Sequence, residues 1–105
     1  MTAQARVRLI NFLVALRRLP PLSELSGDEE RLLFELYRLA EKRDEPLFVS
    51  DVYDLGGAKS ASAAYRDLVS LRKKGLVKIT VDKDDKRKRQ IAFTSTAVDL
   101  LGKLA

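Results

Sequence analysis

The strongest constraint on this chain lies in the middle of the sequence, where small residues and glycines divide two short helical segments. Ser50 is suited to cap a first helix, and the pair Gly56-Gly57 ends it, because glycine tolerates the backbone conformations that follow a helix. A second helix over residues 60–74 is capped at Ser60 or a neighbour and stops before Gly75. Its buried side is predicted to contain Ala61, Ala64, Leu68 and Leu71.

Two β-branched runs follow these helices. Residues 76–81 and 90–94 have the character of strands, and the polar segment 82–89 between them predicts a hairpin with a charged tip. A last helix is predicted to be capped by Ser95 or Thr96 and carries apolar residues as far as Leu104.

The first half of the chain contributes two longer helices. Residues 2–18 form one helix, which two consecutive prolines end because proline cannot continue a helix. Ser26 and Glu29 have the spacing of a capping box and begin a second helix that reaches about residue 43. Residues 47–49 then form a short extended segment.

These segments give the order α-α-β-α-α-β-β-α, which is that of a winged helix-turn-helix. The expected fold class is mainly α with a small β-hairpin wing (α+β). A chain of 105 residues, 46 % of them hydrophobic, suffices for one modest core. We divide it into an N-terminal helix at residues 1–19 and a winged helix-turn-helix domain at residues 20–105.

Composition narrows the function classes. The chain has no cysteine and no histidine, which excludes a thiol nucleophile, a Ser-His pair and the usual zinc sites, while a carboxylate-only magnesium or calcium site stays open. Carboxylates such as Glu35 and Asp54 are scattered, and no glycine-rich phosphate loop accompanies them. We therefore expect no enzyme, no cofactor and no metal, and the absence of disulfides fits the cytoplasm.

Charge is segregated along the chain. Residues 26–56 carry nine acidic and four basic side chains, net −5, whereas residues 57–105 carry twelve basic and five acidic ones, net +7. This asymmetry favours a surface for a polyanion over the second half of the chain. A solvated charged surface without a partner is the alternative.

The N-terminal helix is apolar over most of its circumference. A helix of that kind needs cover on more than one side, and a second copy of the chain is the expected cover, so a homodimer is predicted. A basic amphipathic anchor lying on a membrane is the alternative, although no stretch is long enough to span one and no membrane partner is expected. The predicted dimerisation residues are Leu9, Ile10, Phe12, Leu13 and Leu16.

The helix over residues 60–74 has the features of a helix that reads double-stranded DNA. An α-helix fits the major groove, and small residues near its start allow close approach to the base edges. Arg66 lies one turn beyond Ser62 on the same outward face and is long enough to contact a guanine. For Ser60, helix capping is an equally good interpretation. The candidate DNA-binding residues of this region are Lys59, Ser60, Ser62, Ala63, Arg66 and Lys73.

The hairpin tip is the second candidate DNA-binding element. Five of the seven residues 83–89 are basic, and the tip lies where a wing would reach the flanking minor groove. Asp85 is expected to support the wing by pairing with Arg87 and fixing its direction. A solvated turn that keeps an edge hairpin from aggregating is the alternative. The candidate DNA-binding residues of the wing are Lys83, Lys86, Arg87 and Lys88.

Residues 62–77, the wing segment 82–87 and the pair Phe93-Thr94 resemble the MarR (multiple-antibiotic-resistance regulator) type of bacterial winged-helix repressor. The match consists of a basic helix end followed by Gly-Leu-Val, an Asp-x-Arg core of the wing at Asp85 and Arg87, and a strand that ends in Phe93-Thr94 and leads into a helix. The resemblance implies a transcription regulator. It implies that bases are read by Ser62, Ala63 and Arg66, and that Arg87 enters the minor groove.

Two departures from that family shape the expectations. Asp67 stands at a position that is usually apolar, and the chain resembles a short form that lacks the family's long C-terminal dimerisation helix. Dimerisation would then rest on residues 2–18, and the presence of a small-molecule effector is left open. A winged-helix module for protein–protein assembly, working through the apolar N-terminal helix, is the competing hypothesis.

Overall fold

The computed structural model describes residues 2–55 and 59–102, so the predicted turn at Gly56-Gly57 and the apolar residue Leu104 lie outside the described residues. The predicted order of elements is confirmed, with one additional turn of 3₁₀ helix at Leu22–Glu24. The elements are α1 (Ala3–Arg18), α2 (Gly27–Lys42), β1 (Leu47–Phe48), α3 (Val49–Leu55), α4 (Ala61–Lys73), β2 (Val77–Val81), β3 (Arg89–Phe93) and α5 (Ser95–Gly102).

Several helix ends are set by the residues that the sequence indicated. Ser26 and Glu29 form the predicted capping box, with hydrogen bonds of 3.1 and 2.8 Å between side chains and backbone. Ser60 caps α4, because its hydroxyl accepts a hydrogen bond from the backbone N–H of Ala63 at 3.2 Å. Gly75 follows α4 with φ +78°, the left-handed conformation in which glycine avoids a steric penalty.

Two predicted caps were wrong. The last helix is capped by Thr94, whose hydroxyl accepts from the N–H of Ala97 at 3.2 Å, and not by Ser95 or Thr96. Helix α3 begins at Val49, one residue before Ser50, so Val49 is helical and not extended. The reason is that the Asp51 carboxylate accepts from the N–H of Phe48 at 2.8 Å and stabilises an earlier start.

The three strands form one antiparallel sheet in the order β1-β3-β2. Ile91 of β3 lies opposite both Leu47 and Ile79, and Val81 lies opposite Arg89 at the wing end. Since side chains alternate along a strand, Arg89 and Ile91 face the same side, toward the helices. The hairpin is therefore fastened to the domain at its base, while its tip extends outward.

The core lies between α2, α3, α4, α5 and the inner face of the sheet. Helix α4 buries Ala64, Leu68 and Leu71 as predicted, but Ala61 is exposed because it is the first residue of the helix. One face of α4 is thus fixed in the interior and the opposite face is directed outward. The most deeply buried large side chains are Leu33, Leu36, Val52, Leu68, Leu71, Leu76 and Val77.

Helix α1 has no buried residue. It contacts the rest of the chain near its C-terminal end, where Leu16 is half-buried and Arg17 forms an ion pair with Glu30 of α2. An apolar cavity of about 200 Å³ remains between this end and the core, lined in part by Leu13 and Phe34. Within the described residues, no helix is long and apolar enough to cross a membrane.

Candidate nucleic-acid interface

The outward face of α4 carries a polar and basic stripe. Ser62, Arg66 and Lys73 are exposed and recur at spacings of four and seven residues, which places them on one side of a helix with 3.6 residues per turn. The buried positions Ala64 and Leu68 lie on the opposite side. Ala63 is half-buried beside the stripe. This face can meet a flat or grooved partner with two cations and a hydroxyl.

Lys59, just before α4, is engaged within the protein. Its ammonium group binds the Asp67 carboxylate of α4 and lies 3.0 Å from the Asp28 carboxylate of α2. The hydrogen bond to Asp67, followed by that to Asp28, raises the pKa of Lys59. The charge of Asp67, unexpected at this position, therefore has a partner, and the two residues join the start of α4 to α2.

A second network holds the C-terminal half of α4 against α2. The buried Glu29 carboxylate accepts hydrogen bonds from the Ser70 hydroxyl and from the Lys74 ammonium group, the latter at 2.9 Å. Lys74 also donates to the backbone carbonyl of Glu24 at 2.7 Å. Burial by itself raises the pKa of Glu29, but the hydrogen bonds from Ser70, Ser26 and Lys74 outweigh it and lower the pKa to about 2.

The wing is an ordered turn with its arginine outermost. The N–H of Asp82 donates to the Lys88 carbonyl at 2.9 Å, and the N–H of Lys88 donates to the Asp85 carbonyl at 2.9 Å. The Asp85 carboxylate accepts from the Arg87 N–H at 3.0 Å and lies 3.9 Å from the Arg87 Nε. The Arg87 side chain is 96 % exposed. Asp85 thus contacts the residue it was expected to support, and the guanidinium points into solvent.

The other wing cations differ in their surroundings. Lys83 and Lys86 are exposed at the tip, whereas the Lys88 ammonium lies 5.5 Å from the ring centre of Phe48 in β1, within the range of a cation–π interaction. Lys88 is therefore held near the sheet, and Lys83, Lys86 and Arg87 supply the charge at the end of the wing.

Sequence reasoning missed two residues that connect the wing to α4. The Arg89 guanidinium donates a hydrogen bond to the Tyr65 hydroxyl at 3.3 Å. Both side chains line a hollow of about 660 Å³ between the wing, α4 and the start of α3. No local signal in the sequence indicates this contact, because 24 residues separate the two partners. It places the wing beside the outward face of α4.

Among the described residues, no group of three or more acidic side chains gathers closely enough to hold a metal ion. The chemistry that the surface offers is that of cations, hydroxyls and tyrosine rings on two adjacent projections. These are a helix face and a hairpin tip.

Comparison with solved structures shows the same fold in winged-helix regulators of the MarR family. The S. aureus MepR–DNA complex matches with a TM-score of 0.64 and 19 % identity, covering 91 % of this chain and 70 % of that chain. Heme-free PefR matches at 0.59 and 20 %, covering 96 % and 89 %. The transcriptional regulator Tm0710 from Thermotoga maritima matches at 0.63 and 18 %, covering 96 % and 68 %.

No protein-family model and no curated protein sequence matches this chain. The identities to the solved structures are low, so they establish the winged helix-turn-helix fold. The predicted fold class is confirmed.

Proposed function

We propose that this protein is a sequence-specific regulator of transcription that binds double-stranded DNA. In this proposal the helix over residues 60–74 reads the major groove and the wing at residues 82–89 enters the adjacent minor groove. The observation that carries it is the placement of two basic projections side by side: the stripe with Arg66 on α4, and the wing with Arg87 fully exposed. The fold shared with MepR, whose solved structures include a DNA complex, supports the same conclusion.

The basic side chains of α4 and of the wing suit the grooves to which the proposal assigns them. Arg66 presents a fork of donors that matches the O6 and N7 acceptors of guanine in the major groove. Arg87, with Asp85 beside it, suits a narrow minor groove, where the negative potential is enhanced. The Ser62 hydroxyl can bond either a base or a phosphate, and Lys73, Lys83 and Lys86 supply charge toward the backbone.

We propose further that the working form is a homodimer formed through α1. The exposed large apolar side chains of α1 are between 39 and 57 % exposed, which is an unusual surface for an isolated chain in water. A two-fold dimer places two copies of α4 about one turn of DNA apart and implies a pseudo-palindromic site. The predicted dimerisation residues Leu9, Ile10, Phe12 and Leu13 are exposed, and Leu16 is half-buried against its own subunit.

Binding to duplex DNA tests the proposal. A duplex selected from genomic fragments with the purified protein is measured by fluorescence anisotropy over a salt series. Arg66→Ala and Arg87→Ala are each expected to raise Kd by roughly 5- to 150-fold, since a good arginine contact to a base contributes about 1–3 kcal/mol. Arg66→Ala should also reduce the ratio between the Kd for a random duplex and the Kd for the selected duplex.

Arg38→Ala is the matched control, because it removes the same charge from an exposed position on α2. It is expected to leave Kd within about 2-fold of the wild-type value. If Arg66→Ala and Arg87→Ala behave like the control, the proposal is wrong, and the protein–protein assembly module, which needs no wing charge, becomes the better explanation.

Lys59 requires a separate test, because its ion pairs with Asp67 and Asp28 give it a structural role that the sequence did not indicate. We expect Lys59→Met and Asp67→Asn each to lower the melting temperature and to weaken DNA binding by the same factor at every salt concentration. The double variant should bind and melt like Lys59→Met alone, because Lys59→Met already removes the ion pair that Asp67→Asn breaks.

A contact between Lys59 and a DNA phosphate has a different signature. It would lower the slope of log K against log salt by about 0.9 in Lys59→Met and leave Asp67→Asn unchanged. Measuring both variants over the same salt series decides between the two roles.

A further inference from the structure

Apart from Arg87 and Lys88 of the wing, the side chains that line the hollow between the wing and the helices take no part in the contacts proposed above. Its lining includes Phe48, Ser50, Tyr53, Tyr65, Lys88 and Arg89. Aromatic rings, hydroxyl groups and cations therefore face one open space of about 660 Å³. Arg89 stands at the base of the wing, and Tyr65 stands on the flank of α4 next to Arg66.

The position of the hollow follows from the proposed function, on which this inference rests. Neighbouring major and minor grooves of a duplex are separated by one sugar–phosphate strand. If α4 occupies the major groove and the wing occupies the adjacent minor groove, that strand must pass between them. The space between them is the hollow that Arg89 and Tyr65 line.

The side chains suit a phosphate. A guanidinium carries five N–H donors, and the hydrogen bond from Arg89 to the Tyr65 hydroxyl uses one of them. That bond also orients the guanidinium before any ligand arrives, which reduces the entropy lost on binding. The Lys88 ammonium is held at the rim by the Phe48 ring, and Tyr53 is 42 % exposed. Tyrosine and serine hydroxyls commonly donate to phosphate oxygens in protein–DNA complexes.

We propose that the hollow binds the DNA strand lying between the two grooves, with Arg89 as the main phosphate ligand and Tyr65 as the residue that positions it. This contact carries no base information. It fixes the distance between the groove read by α4 and the groove entered by the wing, and so sets the register of both.

Salt dependence tests the assignment. Arg89→Gln is expected to lower the slope of log K against log salt by about 0.9, so that the affinity lost between 50 and 200 mM salt becomes about 3-fold smaller than in the wild type. The loss of affinity should be equal on the selected and the random duplex. Tyr65→Phe should weaken binding less than Arg89→Gln, and should add nothing in the Arg89→Gln background, because it acts through Arg89.

Lys78→Gln is the matched control, since Lys78 is an exposed cation of the same hairpin on the opposite face of the sheet. It is expected to leave the slope unchanged. A second measurement changes the DNA: a neutral methylphosphonate is placed at each phosphate of the selected duplex in turn, and each duplex is measured with the wild type and with Arg89→Gln. One position between the grooves should weaken wild-type binding and have no effect on Arg89→Gln.

The outcomes separate this inference from the function on which it rests. If the wild-type protein binds no duplex, or binds all duplexes equally, the proposed function is wrong. If it binds selectively while Arg89→Gln keeps the wild-type slope, or while no methylphosphonate position distinguishes the two proteins, the function stands and the phosphate site is wrong. If Arg89→Gln does not fold, the methylphosphonate series on the wild type and on Tyr65→Phe decides.

Discussion

Replacing Glu29 with glutamine is expected to lower the free energy of unfolding by about 3 kcal/mol at neutral pH. The expectation rests on the pKa of about 2 that hydrogen bonds from Ser70, Ser26 and Lys74 impose on this buried carboxyl group, against an ordinary value of 4.5. A difference of that size corresponds to about 3 kcal/mol of preference for the ionised group in the folded state. Glutamine keeps the shape of the side chain and removes the charge, leaving Lys74 without its ionic partner.

The loss of stability in Glu29→Gln is expected to shrink as the pH falls. The folded-state pKa of Glu29 lies below its unfolded value, so its stabilising contribution is complete above about pH 4.5 and is lost as the pH falls toward 2. Roughly 40 % of the difference between wild type and Glu29→Gln should remain at pH 3. Contributions that the two proteins share cancel when they are compared at each pH.

Urea unfolding between pH 3 and 7 measures this difference. Glu35→Gln is the matched control, because Glu35 lies on the same helix with a more exposed side chain and a distant partner, Arg38, at 3.9 Å. We expect a change within about 0.5 kcal/mol for the control at every pH. A Glu29→Gln penalty that stays constant from pH 7 to 3 would show that the network does not depend on the charge of Glu29.

The ion pairs between α2 and α4 show how far the charge pattern of the sequence predicts the charge on the protein surface. The segregation into an acidic segment at 26–56 and a basic segment at 57–105 suggested a surface for a polyanion. In the structure, part of that asymmetry is satisfied internally, because Asp28 binds Lys59 and Glu29 binds Lys74. Lys59 and Lys74 are thus already paired within the protein, so a net charge by segment overstates the charge available to a partner.

The order of elements followed from the sequence because its signals are local. A capping serine, a glycine after a helix and a β-branched run each act within a few residues, as at Ser26, Ser60 and Gly75. The two wrong caps arose where neighbouring residues offered several hydroxyls or carboxylates. Thr94, and not Ser95 or Thr96, caps α5, because its hydroxyl also donates to the Gly75 carbonyl at 2.7 Å.

The candidate site was predicted less completely, because part of it depends on contacts between residues far apart in the sequence. The exposure of Ser62 and Arg66 follows from the helical period of α4, so these were readable. The partners of Lys59 and Arg89 depend on how α2 crosses α4 and on how the hairpin leans toward Tyr65. Those arrangements arise from packing between distant segments, and no spacing in the sequence encodes them.

Removing the apolar surface of α1 is expected to have the second large effect. The double variant Val7→Glu, Ile10→Glu places charge on two of the most exposed apolar positions of the helix, 55 and 57 % exposed. Both lie in the N-terminal half of α1, away from Leu16 and from the Arg17–Glu30 ion pair that join the helix to its own subunit. Glutamate is a better helix former than valine or isoleucine, so the helix itself should persist.

The expected result is a monomer with much weaker DNA binding. A two-fold dimer binds its second half-site as an intramolecular event, and the loss of that event typically reduces overall affinity by about 10²- to 10⁴-fold. Light scattering at micromolar concentration gives the mass, and anisotropy on a duplex with one or two half-sites gives the affinity. The variant should bind both duplexes with equal affinity, whereas the wild type should bind the two-site duplex far more tightly.

Gln4→Glu, Asn11→Glu is the matched control, because it adds the same two charges to the same helix on its polar side and removes no apolar side chain. We expect this variant to remain a dimer and to keep most of its affinity for the two-site duplex. If the wild type is itself a monomer at micromolar concentration, the dimer is ruled out. If the apolar-face variant stays dimeric and binds as the control does, α1 is not the dimer interface, and the exposed apolar residues must serve another partner.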